Sequence, residues 1–425
     1  MGHIKYNEYK YSDIYWVGDI PSHWDCIAVK HHFFSKKQVA GNLADNYQRL
    51  ALTLNGVIKR SKEDAEGLQP EKFETYQIVR KDSLIFKLID LENIKTSRVG
   101  LSKWDGLVSP AYIVLSSNGD ILPNYAENYF LNMWNEHIFN QLGSVGVRSN
   151  LNKEDVLNLP IIKPPLEEQK QIANYLDKKT AKIDEIIVKN KELIDLLDEK
   201  RVALINQVVT KGLNPDVRMK DSGVDWIGEM PEHWETVKLK FCTDIINEKK
   251  DFATVDDKYI GLEHIESETG RLISYSDEGA DGTVNKFKKD MVLFGKLRPY
   301  LAKVIISPFD GVCSTELLIF KTKEILLPNY LFYVMLSNRF IEQVNSSTYG
   351  VKMPRASPEF INSLPIVIPN TIEQNEIINY LNNKTAKIDE IVSKIKENIN
   401  LLEEYKTSLI HHVVTGKIDV KGEEI

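Results

Sequence analysis

Between Leu166 and Lys211 the chain contains neither glycine nor proline, and its apolar residues recur in alternating steps of four and three. Leu176, Thr180, Ile183, Ile187, Asn190, Ile194, Leu197, Arg201, Leu204 and Val208 lie on that stripe, the heptad spacing of a coiled-coil seam. A run of helix formers with one apolar stripe, entered from Pro164-Pro165, predicts a long helix. The pattern returns downstream at Leu381, Thr385, Ile388, Val392, Ile395, Ile399, Leu402, Lys406, Leu409 and Val413. Each stripe is the natural partner of the other. From Leu176 to Val208 is 32 residues, so each seam extends about 48 Å at 1.5 Å per residue. Two helices that only closed one domain would not need a seam of that length.

Ahead of each helix the texture changes to short apolar and β-branched runs broken by turn residues. Leu84-Ile85-Phe86, Tyr112-Ile113-Val114-Leu115, Met291-Val292-Leu293-Phe294 and Leu317-Leu318-Ile319-Phe320 read as strands of a mixed α/β domain.

The repetition is literal in places. Lys179-Thr180-Ala181-Lys182-Ile183-Asp184-Glu185-Ile186 recurs as Lys384-Thr385-Ala386-Lys387-Ile388-Asp389-Glu390-Ile391, 205 positions later. Trp16-Val17-Gly18-Asp19-Ile20-Pro21-Ser22-His23-Trp24 is echoed 210 positions on by Trp226-Ile227-Gly228-Glu229-Met230-Pro231-Glu232-His233-Trp234. Leu122-Pro123-Asn124-Tyr125 matches Leu327-Pro328-Asn329-Tyr330, Leu159-Pro160-Ile161 matches Leu364-Pro365-Ile366, and Phe86-Lys87-Leu88 corresponds to Gly295-Lys296-Leu297. A period this long marks a duplicated domain and not a solenoid. The expected organisation is a first globular domain at 1–165, a repeated helix at 166–212, a second globular domain at 213–370 and a second repeated helix at 371–425. The helices repeat almost unchanged while the globular parts share landmarks and little else, the signature of a duplicated scaffold with diversified faces.

Composition adds bounds. At 425 residues the chain is too long for one core, and 42% hydrophobic with 27% charged residues is ordinary globular usage. No apolar run reaches the roughly 20 residues of a membrane helix and the polar start is no signal peptide, so a cytoplasmic location is expected. Cys26, Cys242 and Cys313 are odd in number and far apart, which argues against a disulfide framework or a zinc cluster. A net charge of -7 disfavours a protein that coats nucleic acid non-specifically, so any such surface must be local.

Catalytic signatures are scarce. The chain has no phosphate loop ending in Gly-Lys-Ser/Thr, no G-x-G-x-x-G, no G-x-S-x-G and no H-E-x-x-H, and no Asn/Asp-Pro-Pro-aromatic motif for a flipped base. Glu248-Lys249-Lys250 has the E-x-K spacing of metal-dependent nucleases but lacks a suitably placed acidic partner. The adjacent pairs His31-His32 and His411-His412 do not share one face of an element, which argues against metal ligation. No metal site and no catalytic centre is expected.

Cations do cluster. From Val284 to Phe309 six basic residues, Lys286, Lys288, Lys289, Lys296, Arg298 and Lys303, face one acid, Asp290, and Tyr300 lies among them. Such a patch suits phosphate, and arginine can fork onto guanine. A lysine-protected strand edge is the alternative. The first copy offers Arg80, Lys81, Lys87, Lys95, Arg98 and Lys103, diluted by the four acids Asp82, Asp90, Glu92 and Asp105. A second set lies in the glycine-containing loop before each long helix, with Arg148 and Asn150 in one copy and Lys352 and Arg355 in the other. The candidate DNA contacts are therefore Lys87, Arg98, Lys103, Arg148, Asn150, Lys286, Lys288, Lys296, Arg298, Tyr300, Lys303, Lys352 and Arg355.

The order W-[VI]-G-x-[IM]-P-x-H-W, then Gly295-Lys296-Leu297-Arg298-Pro299-Tyr300 and Cys313-Ser314-Thr315-Glu316, then Leu-Pro-Ile leading to Glu168-Gln169 and a K-I-D-E helix, resembles the specificity subunit of type I restriction-modification systems. The resemblance covers essentially the whole chain and both copies. It implies two pseudo-symmetric target-recognition domains, each reading half of a split asymmetric site in double-stranded DNA, separated by an antiparallel two-helix coiled coil that sets the spacer. It also implies no catalysis in this chain, two methylation subunits and two restriction subunits as partners, and S-adenosylmethionine, ATP and Mg carried on those partners. The first copy departs from the family pattern: Phe86-Lys87-Leu88-Ile89-Asp90 replaces G-K-L-R-P, and Ser109-Pro110-Ala111 replaces Ser-Thr-Glu. Two other readings stand beside it, the recognition region of a single-chain restriction and methylation enzyme, and a structural coiled-coil adaptor. The first would need a catalytic domain for which no segment remains. The second would not require basic patches on two diverged heads.

Overall fold

The computed structural model describes residues 4–64, 72–92, 97–143, 150–251, 254, 257–276, 282–350 and 352–421. The chain divides into two compact units, residues 1–190 with 397–425, and residues 191–396. The long helices are Leu166–Lys211 and Thr371–Val414. Unlike the expected division at the ends of those helices, each helix gives one part to each unit, because each part packs on a different core. In the second unit Ile205, Val208 and Val209 share one buried cluster with Ile377, Ile378 and Leu381 and with Trp234 and Tyr330 of the globular part.

The first unit holds two four-stranded sheets. One has the order Phe33–Phe34, Ile113–Ser117, Leu84–Phe86, Val99–Leu101, with all pairs antiparallel. The second unit repeats it as Thr243–Ile246, Leu317–Thr322, Val292–Gly295, Val304–Ile306. The apolar runs seen in the sequence form its two central strands in each copy, and Leu84–Phe86, Val292–Gly295 and residues 317–320 are continuous rather than alternating because both faces are covered. The other sheet runs Gly56–Arg60, Arg49–Thr53, Gly106–Val108, Gln77–Val79 in the first unit. Its counterpart runs Tyr259–Ile260, Gly311–Ser314, Val284–Phe287, Lys249–Lys250. Each contains one parallel pair, Leu107 beside Arg49 and Tyr259 beside Val312. The edges differ: a hairpin strand flanks Arg49–Thr53 in the first unit, whereas Tyr259–Ile260 ends its sheet.

The landmarks shared by the two copies hold the scaffold together. Gln169, fully buried near the start of the first long helix, accepts the Leu122 N–H at 2.8 Å and donates from Nε2 to the carbonyls of Pro164 at 2.8 Å and Asp120 at 3.2 Å. Gln374 repeats this on Leu327 at 2.9 Å, Pro369 at 2.9 Å and Ile325 at 2.8 Å. Tyr125 donates to the Ile162 carbonyl and Tyr330 to the Val367 carbonyl, both at 3.1 Å. The preceding acid receives the histidine of the W-x-G motif: His23 lies 3.0 Å from Glu168 and His233 3.0 Å from Glu373. Glu168 also accepts Trp24 Nε1 at 2.8 Å and Lys421 Nζ at 3.0 Å, while Trp234 Nε1 finds no partner among the described residues. Burial pushes the Glu168 carboxyl up, and the bonds from Trp24, Lys421 and His23 outweigh it and leave it below its ordinary value.

The seam positions are buried or half-buried. Leu176, Ile183, Ile187, Leu381, Ile388, Ile399 and Leu409 are buried. Ile194, Leu197, Leu204, Ile395 and Leu402 are half-buried. The two charged seam positions meet the aspartate of the repeated K-I-D-E motif on the facing helix. In the first unit Lys406 Nζ lies 2.6 and 2.7 Å from the Asp184 oxygens. In the second unit Arg201, buried, pairs with Asp389. The pairing runs the helices antiparallel, since Glu168 meets Lys421 and Asp184 meets Lys406. One polar pair per half fixes the register, because a slipped helix would strand a charge against leucine and isoleucine.

Candidate nucleic-acid interface

In the second unit the basic run does not form one patch. Lys286 is tied to Glu248 at 2.8 Å and Lys288 reaches Asp310 at 3.4 Å. Lys303 is half-buried and donates to the carbonyls of Leu262 at 2.6 Å and Ile265 at 2.9 Å. Lys303, expected among the DNA contacts, here uses its ammonium to staple a turn of its own domain. Glu248, the acid of the E-x-K triplet, is held by Lys286, and Lys250 is held by Asp257, whose carboxyl is lowered to about 2 chiefly by that lysine.

What the fold does gather lies around Arg298. Strand Val292–Gly295 ends in Lys296, half-buried, and the chain then turns through Arg298 into the short 3-10 turn Pro299–Leu301. Arg298 adopts φ 50 and ψ 59, the left-handed region. That conformation costs a non-glycine residue about 1 kcal/mol and persists only where its surroundings impose it. Here the Arg298 N–H donates to Pro354 O at 2.8 Å, the Ala356 N–H to Lys296 O at 3.0 Å and the Lys296 N–H to Glu316 O at 3.0 Å. The loop that carries Lys352 and Arg355 is thereby laced to the loop that carries Arg298. Arg298 is exposed, and its side chain has no ion-pair or hydrogen-bond partner among the described residues. Tyr300, two positions on, is exposed, as are Tyr349, Lys352 and Met353 of the loop laced to it. Arg355 differs: its Nε sits 3.2 Å from both Glu316 oxygens and a terminal nitrogen 3.1 Å from one, which keeps the guanidinium firmly protonated. Glu316 thus pairs with Arg355 and not with Arg298.

The first unit distributes its candidates differently. Arg98, also expected among the DNA contacts, is 1% exposed and donates to the carbonyls of Lys87, Ile89 and Asp90. It stands in the position that Lys303 occupies in the second copy, immediately before a strand, and like Lys303 it holds backbone carbonyls, though of a different segment. Lys87 is half-buried, and burial followed by the neighbouring Arg98 lowers its ammonium below the ordinary lysine value. Lys103 and Asn150 are exposed. Arg148 lies outside the described residues. The sequence reading missed the buried Gln169 and Gln374 and the Asp184 and Asp389 pairs. The literal repetition of those letters was the available signal.

Comparison with known proteins places the chain. The model of the type I restriction modification DNA specificity domain matches twice, over residues 32–195 and 231–401. The type I restriction enzyme EcoDI specificity subunit of Escherichia coli is 21% identical over 63% of this chain and 64% of its own length. The MjaVIII specificity subunit of Methanocaldococcus jannaschii is 25% identical over 85% of this chain and 88% of its own. Among solved structures, a chain from work on assembly and conformational transition of the type I R-M system aligns with TM-score 0.68 at 12% identity, covering 93% of this chain and 98% of that one. The HsdS subunit from Thermoanaerobacter tengcongensis aligns at 0.52 with 13% identity, covering 94% and 98%. The two matched segments carry the two diverged faces described above, and the chain belongs to the family of type I restriction-modification specificity subunits.

Proposed function

We propose that this chain is the DNA-reading component of a type I restriction-modification complex. Each unit reads one half of a bipartite, asymmetric duplex site, and the paired helices set the spacer between the halves. The chain performs no chemistry itself: it recruits two methylation subunits, which bring S-adenosylmethionine, and two restriction subunits, which bring ATP and Mg, and it works in the cytoplasm. One observation carries this reading. The scaffold bonds of Gln169 and Gln374 agree to within a few tenths of an ångström, while the exposed loops share almost no residues. Two copies of one frame with unlike faces suit two unlike half-sites.

The test is to express the chain with its methylation subunit and map the methylated bases. A split motif is expected. Deleting one matched heptad from each helix should shorten the rod by about 10 Å and the spacer by roughly three base pairs. A contiguous motif, or an unchanged spacer in a folded and active variant, would refute it. Absence of any duplex binding at low salt would favour the structural adaptor.

A further inference from the structure

The lacing around Arg298 splits the two arginines of this face into different tasks. Three segments meet there: Lys296 to Tyr300, Ser314 to Glu316, and Tyr349-Gly350 with Lys352 to Ala356. Tyr349 and Arg355 exchange backbone bonds at 3.1 and 3.0 Å, and Leu297 bridges to Arg355. Glu316 contributes twice, its carbonyl to the Lys296 N–H and its carboxylate to the Arg355 guanidinium, and its own N–H donates to Ser314 Oγ at 3.2 Å. The only side-chain ion pair among these bonds is Glu316 with Arg355, and it closes the ring of contacts that holds Arg298 left-handed.

We propose that Glu316 and Arg355 are positioning residues that set the base preference of the second unit by fixing the Arg298 loop, and that Arg298 is the guanidinium presented to the major-groove edge of a base. This rests on the reading of the second unit as a DNA reader. Arg355 commits its Nε and one terminal nitrogen to the Glu316 carboxylate, and that is one edge an arginine would use to fork onto guanine. Arg298 keeps its donors open, and proline at 299 stiffens the backbone that carries it. Without the ion pair the loop no longer has to hold a conformation that is unfavourable for arginine, and a guanidinium that wanders loses its fork onto one base before it loses its attraction for phosphate.

The full chain, with the recognised sequence first mapped by methylation, is titrated with cognate duplex and with duplexes changed at one base pair. Arg298→Ala should cut the preference at one position of one half-site about tenfold or more. Glu316→Gln should cut preference at that same position, leave the other half-site unchanged and leave the melting temperature nearly unmoved. The exchanged pair Glu316→Arg with Arg355→Glu should recover much of the preference. Three outcomes overturn the proposal: Glu316→Gln that lowers the melting temperature with base preference intact, Arg355→Ala that costs more preference than Arg298→Ala, or Arg298→Ala that changes preference nowhere. A wild-type chain that prefers no sequence would instead remove the reading beneath it.

Discussion

Replacing Gln169 with leucine tests whether the shared landmarks are structural staples. The side chain is 0% exposed, and the substitution keeps its bulk while removing one acceptor and the donors. The Leu122 N–H and the Pro164 carbonyl then lose their partners at the buried helix start. Each orphaned group costs about 1–3 kcal/mol, so the loss should be at least about 2 kcal/mol even if Asp120 turns to water. For a unit of this size each kcal/mol moves the midpoint by about 2–4 °C, which gives a drop of roughly 4 °C or more. Gln374→Leu should cost the second unit the same to within about 0.5 kcal/mol, since it breaks the equivalent bonds at Leu327 and Pro369. Calorimetry of each variant reads the midpoint, and hydrogen exchange at the Leu122 or Leu327 amide reads the orphaned donor directly. A Gln169→Leu protein that melts with wild type and keeps the Leu122 amide protected would refute the reasoning.

The remaining predictions follow from single contacts. Ile183→Asp and Ile388→Asp each bury an unpaired charge in the seam and should destabilise by several kcal/mol, read by melting, with a wild-type midpoint as the contrary result. Arg98→Ala should lower the stability of the first unit and leave base preference alone, because its guanidinium serves carbonyls; a change of preference without a change of midpoint would restore it as a reader. Glu168 has its folded-state value depressed, so its contribution is present above the unfolded carboxylate value and fades as pH falls through the folded one. Glu168→Gln should therefore flatten the acid side of the stability profile and lower the plateau near neutral pH, and an unaltered profile would refute the role of the cluster.

Periodicity made the scaffold legible. The stripe from Leu176 to Val208 and the run Leu84-Ile85-Phe86 form elements where the pattern put them, because burial on one helix face or both sheet faces writes itself into residue type at fixed intervals. The site was less legible. Arg98 and Lys303 read as free cations, yet both spend their donors on carbonyls 8 to 41 positions away in the chain, and such closure depends on how loops return. Counting charge cannot separate a staple from a probe. Arg298 and Arg355 illustrate the same point: composition made them equivalent, and only the approach of Glu316 set them apart.

The division of the long helices orders the making of the protein. The first unit needs residues 397–425 as well as 1–190, and the two ends meet where the Asp419 N–H donates to Ile4 O at 2.8 Å and Lys421 reaches Glu168. The second unit is contiguous, 191–396. During synthesis residues 191–396 can therefore close first, while residues 1–190 wait with Glu168 lacking Lys421 and the seam around Ile183 uncovered until residues 397–421 leave the ribosome. A nascent chain that has left the ribosomal tunnel only as far as residue 396 should hold a finished second unit beside an unfinished first one.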